Sequence, residues 1–357
     1  MDNDLYEMTA ALCSWYADNK RDLPWRDTKD AYAIWLSEII LQQTRVEQGL
    51  PYFYQFMTQY PTVYDFARAD QDEVLKLWQG LGYYSRARNM QVAAQTIVEE
   101  HSGIFPSDYK KIRILKGVGD YTAAAILSFA YDLPYAVVDG NVMRVFSRLF
   151  AIEEPVDTAV GKKIITKLAQ KYLDKEDPAI YNQAIMDFGA LVCTPKSPKC
   201  SECPLISMCE AKRKDMVSNY PIKKNKTKIR SRYFNYIVAR QNNNVLIQRR
   251  DAKDIWQGLY EFPLLETTKR LADEELIKEI THFSPLHLQT SNLLNISQWK
   301  KQVLSHQHIY YRFIYIESLL EKHVNDKIMS IDLFDIASFA VPKPIEKEIE
   351  RILSEDL

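Results

Sequence analysis

The chain has 357 residues, long enough for two domains with separate cores, and it is 46% hydrophobic and 26% charged, as soluble globular proteins are. Its formal net charge of -1 argues neither for nor against a nucleic-acid partner. The acidic start, MDNDLYEMTA, lacks the basic and apolar regions of a signal peptide, and no apolar run is long enough to span a bilayer. The expectation is a cytoplasmic, nucleoid-associated protein with no membrane partner.

Residues 4–210 read as mostly helical. Ala31–Arg45 is one helix candidate, with Ile34, Trp35, Ile39, Ile40 and Leu41 at near-helical spacing. Further candidates are Val74–Trp78, Ala87–Glu100, Tyr121–Ala130, Val142–Phe150, Gly161–Tyr172 and Ala179–Val192. Short glycine punctuations separate them, GLGYY at 80–84 and GVGD at 117–120. The texture changes after Cys209. Residues 211–232 hold nine Lys or Arg and one acid, Asp215, so 213–229 reads as a basic linker. Beyond it, RYFNYIVAR and VLIQRR flank an Asn-rich turn at 242–244, a hairpin signal, and residues 308–318 read as a strand. The second domain is therefore α+β.

Four of the five cysteines, Cys193, Cys200, Cys203 and Cys209, lie within seventeen residues, spaced C-x6-C-x2-C-x5-C. That density is a metal site in a reducing compartment, not a secreted disulfide framework. Four thiolates from one loop can hold tetrahedral zinc or an iron–sulfur cluster. A single C-x2-C pair in one compact loop suits a [4Fe–4S] cubane, whose four iron corners each take one thiolate. Cys13 stands apart, as a packed core residue.

Gly117-Val118-Gly119 joins two helix candidates. Glycines there let a phosphate approach the backbone at a helix N-terminus, although the same turn also serves as an ordinary helix–helix connection. Glu38 sits in AIWLSEIILQQT, where loss of solvation would raise its pKa and suit it to be a general acid; the alternative is a place on an exposed helix stripe. Asp139, in AVVDGNVMRVF, reads both as a helix N-cap and as a second carboxylate to stabilise a cationic transition state.

With these residues in place, a resemblance emerges. LPWR at 23–26, LSEIILQQTRV at 36–46, GLGYYSRARN at 80–89, LKGVGDYTAAAI at 115–126, VVDGNVMRV at 137–145 and the four cysteines resemble adenine DNA glycosylases of the MutY type. The resemblance spans nearly all of residues 5–210 and is weaker after 230. It implies a multidomain fold. Residues 1–212 would be an all-α helix-hairpin-helix glycosylase domain, with its hairpin at about 108–130 and its iron–sulfur loop at 193–209, and 230–357 an α+β Nudix-like lesion-recognition domain. It implies a monomer acting on double-stranded DNA with adenine opposite 8-oxoguanine or guanine. Glu38 would be the catalytic acid, Asp139 the support of the sugar cation, and Tyr121 and Asn141 their neighbours. Arg26 would contact the extruded adenine, and Gln43 and Tyr83 would wedge into the base stack. Gly117, Val118 and Gly119 would meet the DNA backbone, Cys193, Cys200, Cys203 and Cys209 would ligate a [4Fe–4S] cluster, and Ser305 and His306 would read 8-oxoguanine.

The chemistry agrees. A base must leave the stack before its glycosidic bond is cut, adenine leaves once a ring nitrogen is protonated, and the sugar cation needs a carboxylate. Lyase-type relatives, resembling endonuclease III, carry a Schiff-base lysine where Tyr121 stands, so strand cleavage should be absent; Met143 likewise replaces a lysine of some members. GLYEFPLLE at 258–266 resembles the start of a Nudix domain, but ETTKRLADEELIKEI lacks the R-E-x-x-E-E carboxylates for Mg²⁺. Base recognition is expected there, not nucleotide hydrolysis. The rival readings are a bifunctional glycosylase–lyase, a non-enzymatic iron–sulfur DNA-binding protein and a nucleotide pyrophosphatase.

Overall fold

The structure, a computed structural model, describes residues 2–224, 229–281, 293–317, 323–325 and 327–355. In chain order the helices before residue 225 are α1 (Asp2–Asn19), α2 (Ala31–Ile40), α3 (Val46–Gln59), α4 (Val63–Arg68), α5 (Gln71–Leu77), α6 (Ser85–His101), α7 (Tyr109–Arg113), α8 (Asp120–Tyr131), α9 (Gly140–Leu149), α10 (Ala159–Lys171), α11 (Pro178–Leu191) and α12 (Glu210–Arg213). Strands then follow: β1 (Arg230–Gln241), β2 (Asn244–Arg249), β3 (Tyr260–Glu261) and β4 (Leu264–Thr267). After α13 (Asp273–Thr281) come β5 (Leu293–Ile296), β6 (Lys300–Val303), β7 (Gln307–Glu317), β8 (His323–Asn325), β9 (Ile328–Asp332) and α14 (Lys343–Glu355).

Two compact units result: Met1–Arg68 with Asn89–Asn225, and Ala69–Arg88 with Lys226–Leu357. Residues 69–88, expected within the helical domain, thus cluster with the C-terminal unit.

The first unit is all-helical. Helix α2 is apolar almost all round, and all ten of its residues are buried, as such a helix must be. Its N-terminus is capped by Asp30, which accepts from the Tyr32 N–H at 3.0 Å. Ile34 packs against Ala124 and Ala125 of α8. A second core brings Met8, Leu12 and Tyr16 of α1 against Val142, Val145 and Phe146 of α9 and Tyr181, Ile185 and Phe188 of α11. Each such fully buried large side chain contributes about 1.5–3 kcal/mol.

Two expectations need revision. The helix expected over Ala31–Arg45 stops at Ile40, because Gln43 turns left-handed (φ +58) and Arg45 is the extended cap of α3. The expected basic linker is not free up to Lys224. Tyr220 is buried beside Ala151 and Ala211, and Arg148 donates to Val217 O and Tyr220 O, both at 3.1 Å. Val156 N–H donates to Ile222 O at 3.0 Å, and Lys224 N–H to Asp157 Oδ1 at 2.9 Å. Backbone acceptors and one aromatic ring outweigh the polar composition there. Linker residues 225–228 lie outside the described residues.

The second unit is built on one sheet, of nine strands among the described residues, with main path β5-β7-β1-β2-β9-β8. β3 pairs with β2, β4 with β1 and β6 with β7. β1 and β7 run parallel, from Arg230 opposite Gln307 to Arg240 opposite Glu317. Ile237 and Ala239 on one face of β1 pack under Leu276 and Ile280 of α13, and Phe234, Tyr236 and Val238 on the other face are buried too. Both faces being covered, the strand reads as a continuous apolar run. With its parallel β1–β7 pair the sheet is mixed, and with α13 and α14 the unit is the α+β domain that was expected.

Candidate active site and iron–sulfur loop

Helix α2 places a single carboxylate in its apolar surroundings. Glu38 is 6% exposed, and the Tyr121 hydroxyl donates to its Oε2 at 2.6 Å. Burial pushes the Glu38 carboxyl up to about 7; the Tyr121 hydrogen bond pulls against this, the nearby Asp139 charge adds to it, and Arg26 opposes it. Tyr121 is the second residue of α8, so the hairpin that starts that helix sets its position. Gly117 is left-handed there (φ +79), and a Cβ on it would lie 2.9 Å from Asn89 Cβ. Val118 is buried, and Gly119 is the extended N-cap.

Asp139 caps α9. Its Oδ1 accepts from Val142 N–H at 2.7 Å and its Oδ2 from Asn141 Nδ2 at 2.7 Å. Burial raises the Asp139 carboxyl, and these hydrogen bonds oppose the rise. Asn141 is held in turn by Arg144, which donates to Asn141 Oδ1 at 2.9 Å, to Gly189 O at 2.6 Å and to Cys193 O at 2.8 Å.

Arg26, in a short 3-10 turn, forms a two-pronged pair with Asp187, each prong 2.7 Å, and Arg21 reaches the same carboxylate at 2.8 Å. The Asp187 side chain is wholly buried, and the two guanidiniums hold its carboxyl below its usual range despite burial.

An open cleft of about 1280 Å³ gathers these groups: Arg26, Glu38, Gln43, Gly117, Gly119, Tyr121, Asp139 and Asn141 all line it. Gln43 projects from the left-handed turn after α2 and is exposed. Tyr83, Ser305 and His306 lie in the second unit instead. Ser305 and His306 form the exposed turn between β6 and β7; Leu304 N–H donates to Gln307 O at 2.9 Å, and His306 O accepts from Arg230 N–H at 3.1 Å. The Tyr83 and Ser305 hydroxyls are hydrogen-bonded to each other. On α13, Asp273 pairs with Arg312 at 2.7 Å and Glu275 with Lys269 at 3.5 Å.

Several supporting residues carry no local signal. Asp187 is a lone acid in a helix, and only the fold shows that it holds Arg21 and Arg26. Gln183 also lines the cleft, accepting from Tyr16 OH at 2.8 Å. Arg144 could have been suspected from its place five residues after Asp139, but not its partners.

Cys193, Cys200, Cys203 and Cys209 are half-buried and unbridged, and they line one small cavity with Val145, Leu149, Phe188 and Val192. Arg148 donates to Cys193 Sγ at 3.4 Å. Among the described residues no three His, Cys, Asp or Glu are arranged to hold a single metal ion. Burial drives the Cys203 thiol up to about 11, and its three companions push the same way. A site that raises a thiol in this way holds thiolates only around strong positive charge, which an iron–sulfur cluster supplies. The donor set fits.

Comparison with known proteins gives the same account. Residues 36–175 match the family described as HhH-GPD superfamily base excision DNA repair protein, 193–209 the iron–sulfur binding domain of endonuclease III, and 235–351 the NUDIX domain. The adenine DNA glycosylase of Buchnera aphidicola subsp. Schizaphis graminum is 33% identical over 97% of this chain and 99% of its own. The human adenine DNA glycosylase is 46% identical over 59% of this chain and 41% of its own. A thermostable thymine-DNA glycosylase superposes with a TM-score of 0.56 at 28% identity, over 60% of this chain and 98% of that one. Endonuclease III trapped on DNA, at 24% identity and a TM-score of 0.53, shares the fold over 60% of this chain and 99% of its own. Together with the iron–sulfur loop and the buried carboxylate of the cleft, these matches show that the chain belongs to the adenine DNA glycosylases, the enzymes that open base excision repair at adenine.

Proposed function

We propose that this glycosylase removes adenine paired with 8-oxoguanine or guanine in duplex DNA, with Glu38 as the acid, and leaves an abasic site. The observation that carries the reading is Glu38 itself: a carboxyl pushed up to about 7 at the wall of a cleft large enough for an extruded nucleoside. Near neutral pH a large fraction of Glu38 is protonated and can give its proton to an adenine ring nitrogen. The resulting carboxylate can then take a proton from attacking water. Tyr121, donating to Oε2, fixes which carboxyl oxygen is engaged. Asp139 is held by its cap bonds and faces the same cleft, a fixed negative charge beside the sugar cation. Arg26, locked by Asp187, supplies a rigid donor for the base. Gly117, Val118 and Gly119 bring backbone amides to a phosphate, and Gln43 and Tyr83 fill the vacated stack.

Cys193, Cys200, Cys203 and Cys209 would hold the cluster as [4Fe–4S], which shapes the loop after α11. Ser305 and His306 read the oxidised guanine, whose N7 donor and C8 oxygen match a hydroxyl that both donates and accepts. Tyr121 has no amine, so the enzyme acts as a monofunctional glycosylase, as a monomer. The test is a labelled duplex with adenine opposite 8-oxoguanine, incubated with the protein and split into alkali-treated and untreated halves. Strand breaks confined to the alkali half, with free adenine released, support the reading. Breaks without alkali, or a borohydride-trapped adduct competent for turnover, refute it.

A further inference from the structure

The residues that carry Tyr83 lie between motifs of the catalytic unit in the chain, and the HhH-GPD match at 36–175 runs straight through them. Yet Ala69–Arg88 clusters with the C-terminal unit. Within that unit α5 is gripped at both ends. At its start, Asp72 accepts from Tyr260 OH at 2.9 Å and pairs with Arg249 at 3.0 Å. At its end, Lys76 Nζ donates to Phe339 O at 3.0 Å, Gln79 Nε2 to Glu346 Oε1 at 3.0 Å, and Val341 N–H to Gln79 Oε1 at 3.1 Å. Between the two ends Leu75 is fully buried, and a Cβ on left-handed Gly258 would lie 3.1 Å from its methyl.

From α5 to Tyr83 the chain is equally stiff. Gly80, Gly82 and Tyr83 all have positive φ (+100, +70 and +47). Trp78 Nε1 donates to Gly82 O at 3.0 Å. The Arg86 guanidinium lies over the Trp78 ring at 4.9 Å and the Tyr83 ring at 5.8 Å, and it donates to Leu81 O and Gly82 O, both at 3.2 Å. The Tyr83 ring is 41% exposed at the tip, its hydroxyl bonded to Ser305.

We infer that the C-terminal unit positions Tyr83, with Tyr260, Arg249 and Glu346 acting as positioning residues through α5. The stack wedge and the opposite-base reader are then one rigid element. This rests on the reading of Tyr83 as a wedge. A tyrosine at positive φ, in a turn where three of four residues from 80 to 83 are at positive φ, is strained. It keeps its aim only while both flanks are clamped. The clamp is supplied by residues about 180 to 270 positions away in the chain.

The test uses the full-length, cluster-loaded chain carrying Tyr260→Phe with Glu346→Ala, alone and combined with Tyr83→Ala. Two quantities are read: amide hydrogen exchange at residues 79–84, and the ratio of excision rates for adenine opposite 8-oxoguanine and opposite guanine. The clamp variant should raise exchange at 79–84 about tenfold, with the rest of β1 and β7 unchanged, and lower the ratio about tenfold, for two lost hydrogen bonds. Adding Tyr83→Ala should lower the ratio no further. Tyr260→Phe with Glu346→Gln, whose amide oxygen still accepts from Gln79, should restore half or more of the loss. Unchanged exchange at 79–84, or strictly additive losses, would overturn the inference. If Tyr83→Ala alone leaves the ratio unchanged, the wedge reading fails, while the exchange result still decides the clamp.

Discussion

The catalytic cleft and the β6–β7 turn use polar side chains in opposite ways. In and beside the cleft, Glu38 and Asp187 are nearly or wholly buried, and the three carboxylates Glu38, Asp139 and Asp187 each have donors: Tyr121 for Glu38, Asn141 and the Val142 amide for Asp139, Arg21 and Arg26 for Asp187. At the turn, Ser305 and His306 are exposed, and the backbone around them, not burial, holds them in place. Burial shifts protonation and so creates an acid near neutral pH. Exposure offers geometry to an incoming base. On the function proposed above one region reacts and the other discriminates, and their variants should separate along that line.

The largest expected effect is Glu38→Gln, which should lower single-turnover adenine excision a hundredfold or more while leaving duplex affinity in place. A loss below about threefold would break the contrast between the two regions. The same variant reports on stability. The folded Glu38 pKa, about 7, lies above the unfolded value of about 4.3. The stabilisation linked to Glu38 is therefore complete below pH 4 and lost as pH rises through about 7. Glu38→Gln should match wild type below about pH 4 and exceed it near pH 8, by up to about 4 kcal/mol in denaturant titrations.

Ser305→Ala with His306→Ala should cost about 1–3 kcal/mol of preference for 8-oxoguanine over guanine, without changing the excision rate at saturation. An altered maximal rate with an unaltered preference would invert the assignment. Tyr121→Phe comes next. It removes a donor that favours the ionised carboxyl, so Glu38 should titrate above about 7 and the alkaline limb of the pH–rate profile should move upward, with a severalfold change in rate. An unmoved limb would mean that the hydrogen bond does not tune the acid. Smallest is Lys29→Ala, which breaks a pair with Asp132 whose side chains are 59% and 54% exposed; stability should change by less than about 0.5 kcal/mol.

Much of the cleft was readable along the chain because its parts sit at helix starts. A carboxylate before Gly140 caps α9, two glycines precede α8, and four cysteines fall in one loop; capping and tight turns act over three or four residues, so local spacing reveals them. The limits of the helices were harder to read. Leu41, Gln42 and Gln43 are all good helix formers, and only the left-handed turn at Gln43 ends the pattern. The strands β3, β4, β5, β6, β8 and β9 are two to five residues long, too short for alternation to register.

What the chain order settles, then, is the chemical inventory: one carboxylate in an apolar helix, one at a cap, a glycine hairpin, a tyrosine in place of an amine, and four thiols in reach of one another. Tertiary structure decides which of these act together. Whether Glu38 faces water or is buried depends on the elements packed over α2, and that burial is the largest cause of its carboxyl rising to about 7, with the Asp139 charge adding to it. Whether Arg26 is a loose surface cation or a fixed donor depends on Asp187, 161 residues away. Whether residues 69–88 belong with their sequence neighbours or with the sheet depends on Tyr260, Phe339 and Glu346. Periodicity records which face of an element is apolar; it does not record which distant face will cover it, and burial, ionisation and aim all follow from that cover.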